Sequence, residues 1–257
     1  MLASILVLMA QAGGPAMAPA PPAKWGIDYG KDRCVITRAF DSTGGRTVLA
    51  IDADPVTGTG SLVLLGHAVG QRDTFGAATI AIMPEGAKLP VRWVGLRSPD
   101  GTAGIKIWLD EASWRRMSIA TSATINGFGP SPVALPIAGL DRAVQAARTC
   151  GRTLLKGWGA DPDAMIGSDA ARHPIDWIGP QDYPVDALRA NAQGTARTIT
   201  TVDAAGKPTG CRTVVSSGVP SLDAASCRAI LSRGVFAPSA QAVRYYYRQV
   251  TWAIPYP

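Results

Sequence analysis

The chain has 257 residues, of which 47% are hydrophobic and 17% are charged, a composition typical of globular proteins and not of disordered chains. Its 28 glycines and 20 prolines indicate many turns, which excludes an all-helical fold. The net charge of +6 comes from lysines and arginines that form no dense run. The charge therefore indicates a solvated surface, and no nucleic-acid partner is predicted.

The first 23 residues are predicted to be a signal peptide followed by a tether. Residues 1–12 are apolar and end in a small-x-small sequence of the kind that a signal peptidase cuts, and the following residues are rich in Gly, Ala and Pro. The apolar stretch is far shorter than the ~20 residues that span a bilayer. The stretch is also short for a signal peptide, and no Lys or Arg precedes it. A start codon assigned too far downstream would explain both departures. We predict an exported, periplasmic protein, attached to the inner membrane if the N-terminus is incomplete.

Residues 25–158 are predicted to form a mostly-β domain that ends in a helix. Short apolar runs rich in Val, Ile or aromatic residues are separated by turn residues at 34–40, 47–51, 61–65, 77–83, 91–96 and 105–109. They predict a β-sandwich or a small barrel, with a helical turn at 111–116 and a further strand at 118–125. An amphipathic helix is then indicated by apolar residues that recur every three or four positions, namely Leu140, Ala143, Ala147, Cys150, Leu154 and Trp158.

The four cysteines form an even set without a C-x-x-C motif or neighbouring histidines, so the spacing of a zinc or thioredoxin-type site is missing. Disulfides are the favoured interpretation. Of the three connectivities, Cys34 with Cys150 and Cys211 with Cys227 keeps each pair within one predicted domain. The alternative is four reduced, buried thiols in a cytosolic protein.

The C-terminal part, residues 177–257, follows a predicted linker at 159–176. Tyr183 and Pro184 open a short helix at 185–190, and strands are predicted at 195–202 and 211–216. A second helix is predicted at 222–233, with Ser221 as its N-cap, before a last strand at 245–254. The alternation in that strand places its even-numbered side chains against the helices. The chain as a whole is predicted to be α+β.

This order of helix, strand, strand, helix and strand resembles the C-terminal domain of TonB-type energy transducers, over about residues 177–255. The resemblance is carried by the joint order and spacing of Tyr183, Pro184, Ala187, Leu188, Gly194, Val202, Asp203, Gly206, Ser216, Ser217, Gly218, Leu222, Asp223, Phe236 and Pro238. Residues 25–158 resemble no family that we can name. The Cys211 and Cys227 pair is similar to a subgroup of such domains in which the second strand is tied to the second helix.

The resemblance implies a periplasmic, non-catalytic protein-binding module that captures an extended segment of an outer-membrane transporter by strand addition. The implied edge strand comprises Tyr245, Tyr246, Tyr247, Arg248, Gln249, Val250, Thr251 and Trp252. Ordinary cross-strand packing is the alternative role of its tyrosines, and packing of a helix start on the sheet is the alternative for Tyr183 and Pro184.

The sequence departs from a complete energy transducer, because it has no spanning helix and no long Pro-rich segment. Alternatives are therefore a structural or cell-wall-associated envelope protein that binds peptidoglycan, a membrane-anchored transducer with a misassigned N-terminus, and a homodimer.

Residues for catalysis or for a cofactor are not apparent. His67 and His173 lie outside any nucleophile motif, and Asp52 and Asp54 begin a calcium-like loop that lacks its other acidic ligands. We predict no enzyme activity, no cofactor and no metal. An enzyme site in the unrecognised first domain remains a further alternative.

Overall fold

The structure is a computed structural model that describes residues 24–42, 45–66, 75–97, 102–127, 131–167 and 170–254. It contains a nine-stranded antiparallel sheet, a separate three-stranded antiparallel sheet and several helices, which confirms the predicted α+β class. The predicted signal peptide and tether, as well as His67, lie outside the described residues.

The larger sheet has the strand order β1-β2-β3-β4-β7-β6-β5-β8-β9. Its strands are β1 (Gly26–Tyr29), β2 (Cys34–Ser42), β3 (Gly45–Ala53), β4 (Gly60–Gly66), β5 (Phe75–Met83), β6 (Lys88–Arg97), β7 (Ala103–Trp108), β8 (Ser122–Asn126) and β9 (Val133–Leu135). Alternate Ile and Leu side chains of the long strands point to one face and are almost completely buried. The sheet is a single curled layer, since Trp25 and Arg38 near its first edge both donate to the carbonyl of Ala138, just after β9.

Two helices cover the core of this sheet. Helix α1 (Glu111–Ile119) buries Trp114 and Met117, which are three residues apart on one face. It is therefore longer than the predicted helical turn, and the strand predicted from residue 118 begins only at Ser122. Helix α2 (Leu140–Gly157) packs on β1, β2 and β3 and buries the predicted stripe from Leu140 to Cys150. Leu154 is only partly buried, and Trp158 is the C-cap and packs in a different cluster, because the helix ends at Gly157.

The segment between α2 and the second sheet packs closely on that sheet. It contains short 3₁₀ turns at Pro162–Ala164, Pro174–Trp177 and Pro180–Asp182. Ile166, Ala171 and Trp177 are buried in one cluster with Phe236 and Tyr246 of the C-terminal unit. The second sheet is thus held by residues that precede it as well as by its own helices.

The C-terminal unit consists of α3 (Val185–Arg189), β10 (Gly194–Asp203), β11 (Pro208–Val215), α4 (Pro220–Arg233) and β12 (Val243–Trp252), with the strand order β11-β10-β12. The two helices pack on one face of this sheet, where Ala187, Leu222 and Trp252 share a core cluster. The prediction that Ser221 is the N-cap of α4 is wrong. Because Pro220 takes the first helical position, Val219 is the N-cap residue, and its side chain makes no capping hydrogen bond.

Two disulfides each tie a strand to a helix. Cys34–Cys150 joins β2 to α2, and Cys211–Cys227 joins β11 to α4. These are the pairs that the sequence favoured. Each of the two sheets therefore has a covalent link to the helix that covers it.

Candidate functional site

Strand β12 lies at one edge of the small sheet. It pairs with β10 along its whole length, from Gly194 opposite Trp252 to Asp203 opposite Val243. The backbone of every second residue in an edge strand points away from the sheet. The Tyr245 carbonyl accepts a hydrogen bond of 2.7 Å from the Ile166 amide, which lies outside the sheet. The odd-numbered residues of β12 therefore point their N–H and C=O groups outward.

Most of this edge has no backbone partner. Beyond Tyr245, where Met165 forms an isolated parallel bridge, the outward residues are Tyr247, Gln249 and Thr251. Their backbone groups on this side form no hydrogen bond with any residue that the structure describes. The unpaired edge thus presents three amide donors and three carbonyl acceptors in a row.

The even-numbered side chains of β12 pack against the helices, as the alternation predicted. The Trp252 ring lies edge-on to the Tyr183 ring at 5.1 Å, and its indole N–H donates to the Ser226 hydroxyl at 2.9 Å. The Tyr246 ring lies edge-on to Trp177 at 5.7 Å. The Arg248 guanidinium lies 5.7 Å from the centre of the Trp177 ring. These contacts fix the strand in place.

The middle of the odd-numbered face of β12, at Tyr247, is covered by the first domain, whereas Gln249 and Thr251 on the same face are exposed. Tyr247 is 7% exposed as a whole residue, and its ring stacks on Trp158 with the ring centres 6.1 Å apart. Burial raises the pKa of Tyr247. Leu155 at the end of α2 and Ile199 of β10 belong to the same cluster. Tyr247 therefore uses its side chain in packing, and Gln249 and Thr251 are the exposed outward residues of the edge.

A buried ion pair joins the two sheets beside this cluster. Arg197 of β10 donates to both carboxylate oxygens of Asp52 of β3, at 2.9 and 2.7 Å, and to the Asp32 carbonyl at 2.7 Å. Asp54 nearby accepts from the amides of Val56 and Thr57, and burial raises the pKa of its carboxyl group. Asp52 and Asp54 thus serve the junction between the sheets and the turn after β3.

Metal and histidine chemistry receive no support from the described part of the chain. It contains no group of three or more His, Cys, Asp or Glu side chains placed to hold a metal ion. His173 adopts a left-handed backbone conformation with φ of 48° immediately before the 3₁₀ turn that begins at Pro174. It acts there as a turn residue.

An apolar groove of about 480 Å³ adjoins the C-terminal end of β12. It is lined by Ile178, Pro180, Tyr183, Leu188, Trp252 and Ile254, together with residues between them. The Tyr183 hydroxyl donates to the Ala192 carbonyl at 2.6 Å, which holds the ring against Trp252. Beside the groove Arg233 pairs with Asp182 at 2.5 Å, and this hydrogen bond lowers the pKa of Asp182.

The structure brings only part of the predicted site together. Tyr183 lines the groove next to the β12 edge, and Pro184 is the N-cap of α3. Asp223 accepts from the Ser216 hydroxyl and the Ser217 amide, so these residues fix the turn between β11 and α4. The turn follows β11, the strand at the opposite edge of the sheet, and Leu222 beyond it is fully buried.

Other groove residues were not identified from the sequence. Ile178 and Pro180 lie in an irregular segment, and Ile166 covers the start of the edge from before the predicted C-terminal domain. Single apolar residues in such a segment have no periodicity, so a pattern that points to a strand or a helix does not reveal them.

By its architecture, the C-terminal unit is a small α+β domain with two helices on one sheet face and an unpaired edge beside an apolar groove. Residues 179–254 match the family described as Gram-negative bacterial TonB protein C-terminal, which confirms the family predicted from the sequence for this part of the chain. The residues before them match no family. No curated protein and no solved structure matches the chain. Within the described residues, the helices are too short or too polar to cross a membrane.

Proposed function

We propose that residues 177–257 form a periplasmic protein-binding module, linked to outer-membrane transport, that captures an extended peptide as a fourth strand along β12. The observation that carries this proposal is the row of outward backbone groups at Tyr247, Gln249 and Thr251 that have no partner among the described residues, the last two of them on exposed residues. The family match supports the link to transport, since TonB C-terminal domains act by binding. We propose that the module has no catalytic activity of its own.

The expected affinity follows from the length of the free edge. Each backbone hydrogen bond contributes about 0.5–1.5 kcal/mol net, and ordering a flexible peptide offsets much of that gain. A few such bonds give weak, reversible binding. Specificity must come from side chains, and an added strand directs alternate side chains to the helical face. Those side chains reach the groove lined by Tyr183 and Leu188.

The residues that line the groove indicate which side chains a bound peptide should carry. The wall of the groove is mostly apolar, so one peptide side chain on the helical face should be aliphatic or aromatic. Arg248 lies on the same face of β12, and its partners are the Pro174 carbonyl and the Trp177 ring. A carboxylate in the peptide would suit this arginine, so the preferred ligand is an extended, partly acidic segment.

The test uses the full chain with its disulfides formed and synthetic peptides from the periplasmic segments of outer-membrane transporters of the same host. Gln249 is exposed, and its amide points outward, so Gln249→Pro removes one donor from the edge without breaking the β10 ladder. Gln249→Ala is the matched control, because it changes the side chain and keeps the amide. Fluorescence anisotropy should show similar binding by the wild type and Gln249→Ala, and binding weakened about two- to twelvefold by Gln249→Pro, the loss that corresponds to one backbone hydrogen bond.

Two results would contradict strand addition: binding of no transporter segment by the wild type, or equal binding by Gln249→Pro and Gln249→Ala. Circular dichroism must show that both variants are folded. Cosedimentation with purified peptidoglycan that is insensitive to Gln249→Pro would instead support the cell-wall alternative. Loss of a sedimenting dimer in Gln249→Pro would assign the edge to a second copy of the chain.

A further inference from the structure

A second concave surface lies in the first domain, at the N-terminus of α2. Its volume is about 410 Å³, and its lining includes Lys24, Trp25, Ile27, Arg38, Gly139 and Arg142. Helix α2 has 18 residues, so at 1.5 Å per residue this surface is ~27 Å from the end of the helix that meets the small sheet. It is therefore separate from the β12 edge.

Arg38 is the central residue of this cavity. The residue as a whole is 6% exposed, and its guanidinium carbon lies 5.1 Å from the centre of the Trp25 ring. Its Nη1 donates to the Ala138 carbonyl at 2.9 Å. Its buried Nε has no hydrogen-bond partner. The structure describes no carboxylate within salt-bridge distance of Arg38, Lys24 or Arg142. Burial without an acidic partner lowers the pKa of Arg38.

The comparison with Arg197 shows why this arrangement is unusual. Both guanidinium groups are buried, but Arg197 is neutralised by two hydrogen bonds to Asp52. A buried charge without a counterion is costly, because the protein interior replaces its water poorly. An anionic ligand would supply the counterion that Arg38 lacks.

The start of α2 adds one unpaired donor to the same cavity, the amide of Arg142, because Arg142 lines it. Gly139, with φ of 77°, is the N-cap and provides no side-chain cap. The amides of Asp141 and Arg142 donate to no acceptor that the structure describes. The positive end of an 18-residue helix therefore faces the cavity. The Asp141 carboxylate is exposed in this first turn and does not line the cavity.

We infer that this cavity binds a phosphate group carried by a small organic molecule or a lipid headgroup. One carboxylate is satisfied by one arginine, whereas here three cationic side chains meet the free helix amide of Arg142, an arrangement suited to the several oxygens of a phosphate. The volume exceeds that of a phosphate ion, and Trp25, Ile27 and Ala143 provide an apolar wall for the organic part. This inference is independent of the proposed peptide site.

Isothermal titration calorimetry of the full chain at constant ionic strength tests the inference, with inorganic phosphate and sn-glycerol 3-phosphate as probes. Flotation with phosphatidylglycerol vesicles, and with phosphatidylcholine vesicles for comparison, tests the lipid source. The double variant Lys24→Gln/Arg142→Gln changes two exposed side chains of the cavity and leaves buried Arg38 intact. Arg92→Gln, an exposed arginine of β6 outside the cavity, is the matched control.

The expected result is saturable binding of a phosphate probe that weakens at least about tenfold in the double variant and stays unchanged in Arg92→Gln, as the loss of a hydrogen bond to a charged group requires. Binding of the soluble phosphates without binding to vesicles would identify a soluble ligand. Additional binding to phosphatidylglycerol vesicles, but not to phosphatidylcholine vesicles, would identify a lipid headgroup. Absence of saturable binding to every probe, or an equal loss in Arg92→Gln, would overturn the inference.

Discussion

Arg197→Met is expected to destabilise the folded chain by about 3 kcal/mol, the lower end of the range for breaking a buried ion pair. The Arg197 side chain is 8% exposed and that of Asp52 is 24% exposed. Methionine leaves the Asp52 carboxylate and the Asp32 carbonyl without their donors. The cost stays near the lower end because Asp52 keeps some access to water and an attraction to Lys106, whose pKa is lowered by burial and raised in part by Asp52.

Urea denaturation followed by tryptophan fluorescence measures this effect, since Trp158 stacks on Tyr247 at the junction of the two sheets. A double-mutant cycle with Asp52→Asn isolates the pair, and we expect a coupling energy of about 1.5 kcal/mol or more. The exposed pair of Arg115 and Glu111 provides the control, because Arg115→Met should cost no more than about 0.5 kcal/mol. A cost below about 1 kcal/mol for Arg197→Met, or additive effects in the cycle, would refute the reasoning.

Four further variants test the packing and the electrostatics. Gly151→Ala should destabilise the folded chain by about 1–3 kcal/mol in thermal or urea unfolding, because the new Cβ would lie 2.2 Å from the Pro55 carbonyl oxygen. Gly157→Ala is the matched control. Its new Cβ meets nothing within 4 Å, so it should stabilise the folded chain by up to about 1 kcal/mol. Asp54→Asn should become increasingly stabilising relative to the wild type as the pH rises from about 4 to neutral. The reason is that the raised pKa of Asp54 means that the folded wild type binds the carboxyl proton more tightly than the unfolded chain does. Curves of stability against pH that run parallel for the two proteins would contradict this. Alanine substitution of both cysteines of the disulfide in the C-terminal unit, 16 residues apart, should cost ~3 kcal/mol in the same assay.

Elements with a clear period were predictable from the sequence. The stripe of α2 and the alternation of β12 each repeat over several residues, so the helix and the strand appear where they were expected, although Trp158 at the end of the stripe is the C-cap of α2. Strands β1 and β9, with four and three residues, are too short to show alternation and were not predicted. Helix α1 runs further than its predicted turn, since Met117 buries its side chain near the C-terminal end of the helix.

The contacts between the two sheets could not be predicted. Arg197 and Asp52 are 145 residues apart, and neither belongs to a motif that relates it to the other. The outward-facing backbone groups of β12 could not be predicted from the sequence either. The family resemblance pointed to this strand, but which backbone groups face outward depends on the register with β10 and on the hydrogen bond from Ile166 to Tyr245.

The long pairing of β12 with β10 has a mechanical consequence. A force along β12 acts parallel to the strand, so the hydrogen bonds of a 10-residue ladder would resist it together in shear instead of opening one after another. Strand β10 carries Arg197, whose bonds to Asp52 and Asp32 lead into the nine-stranded sheet. If β12 captures a peptide as proposed, a force on that peptide would therefore be transmitted in part to the first domain through these bonds.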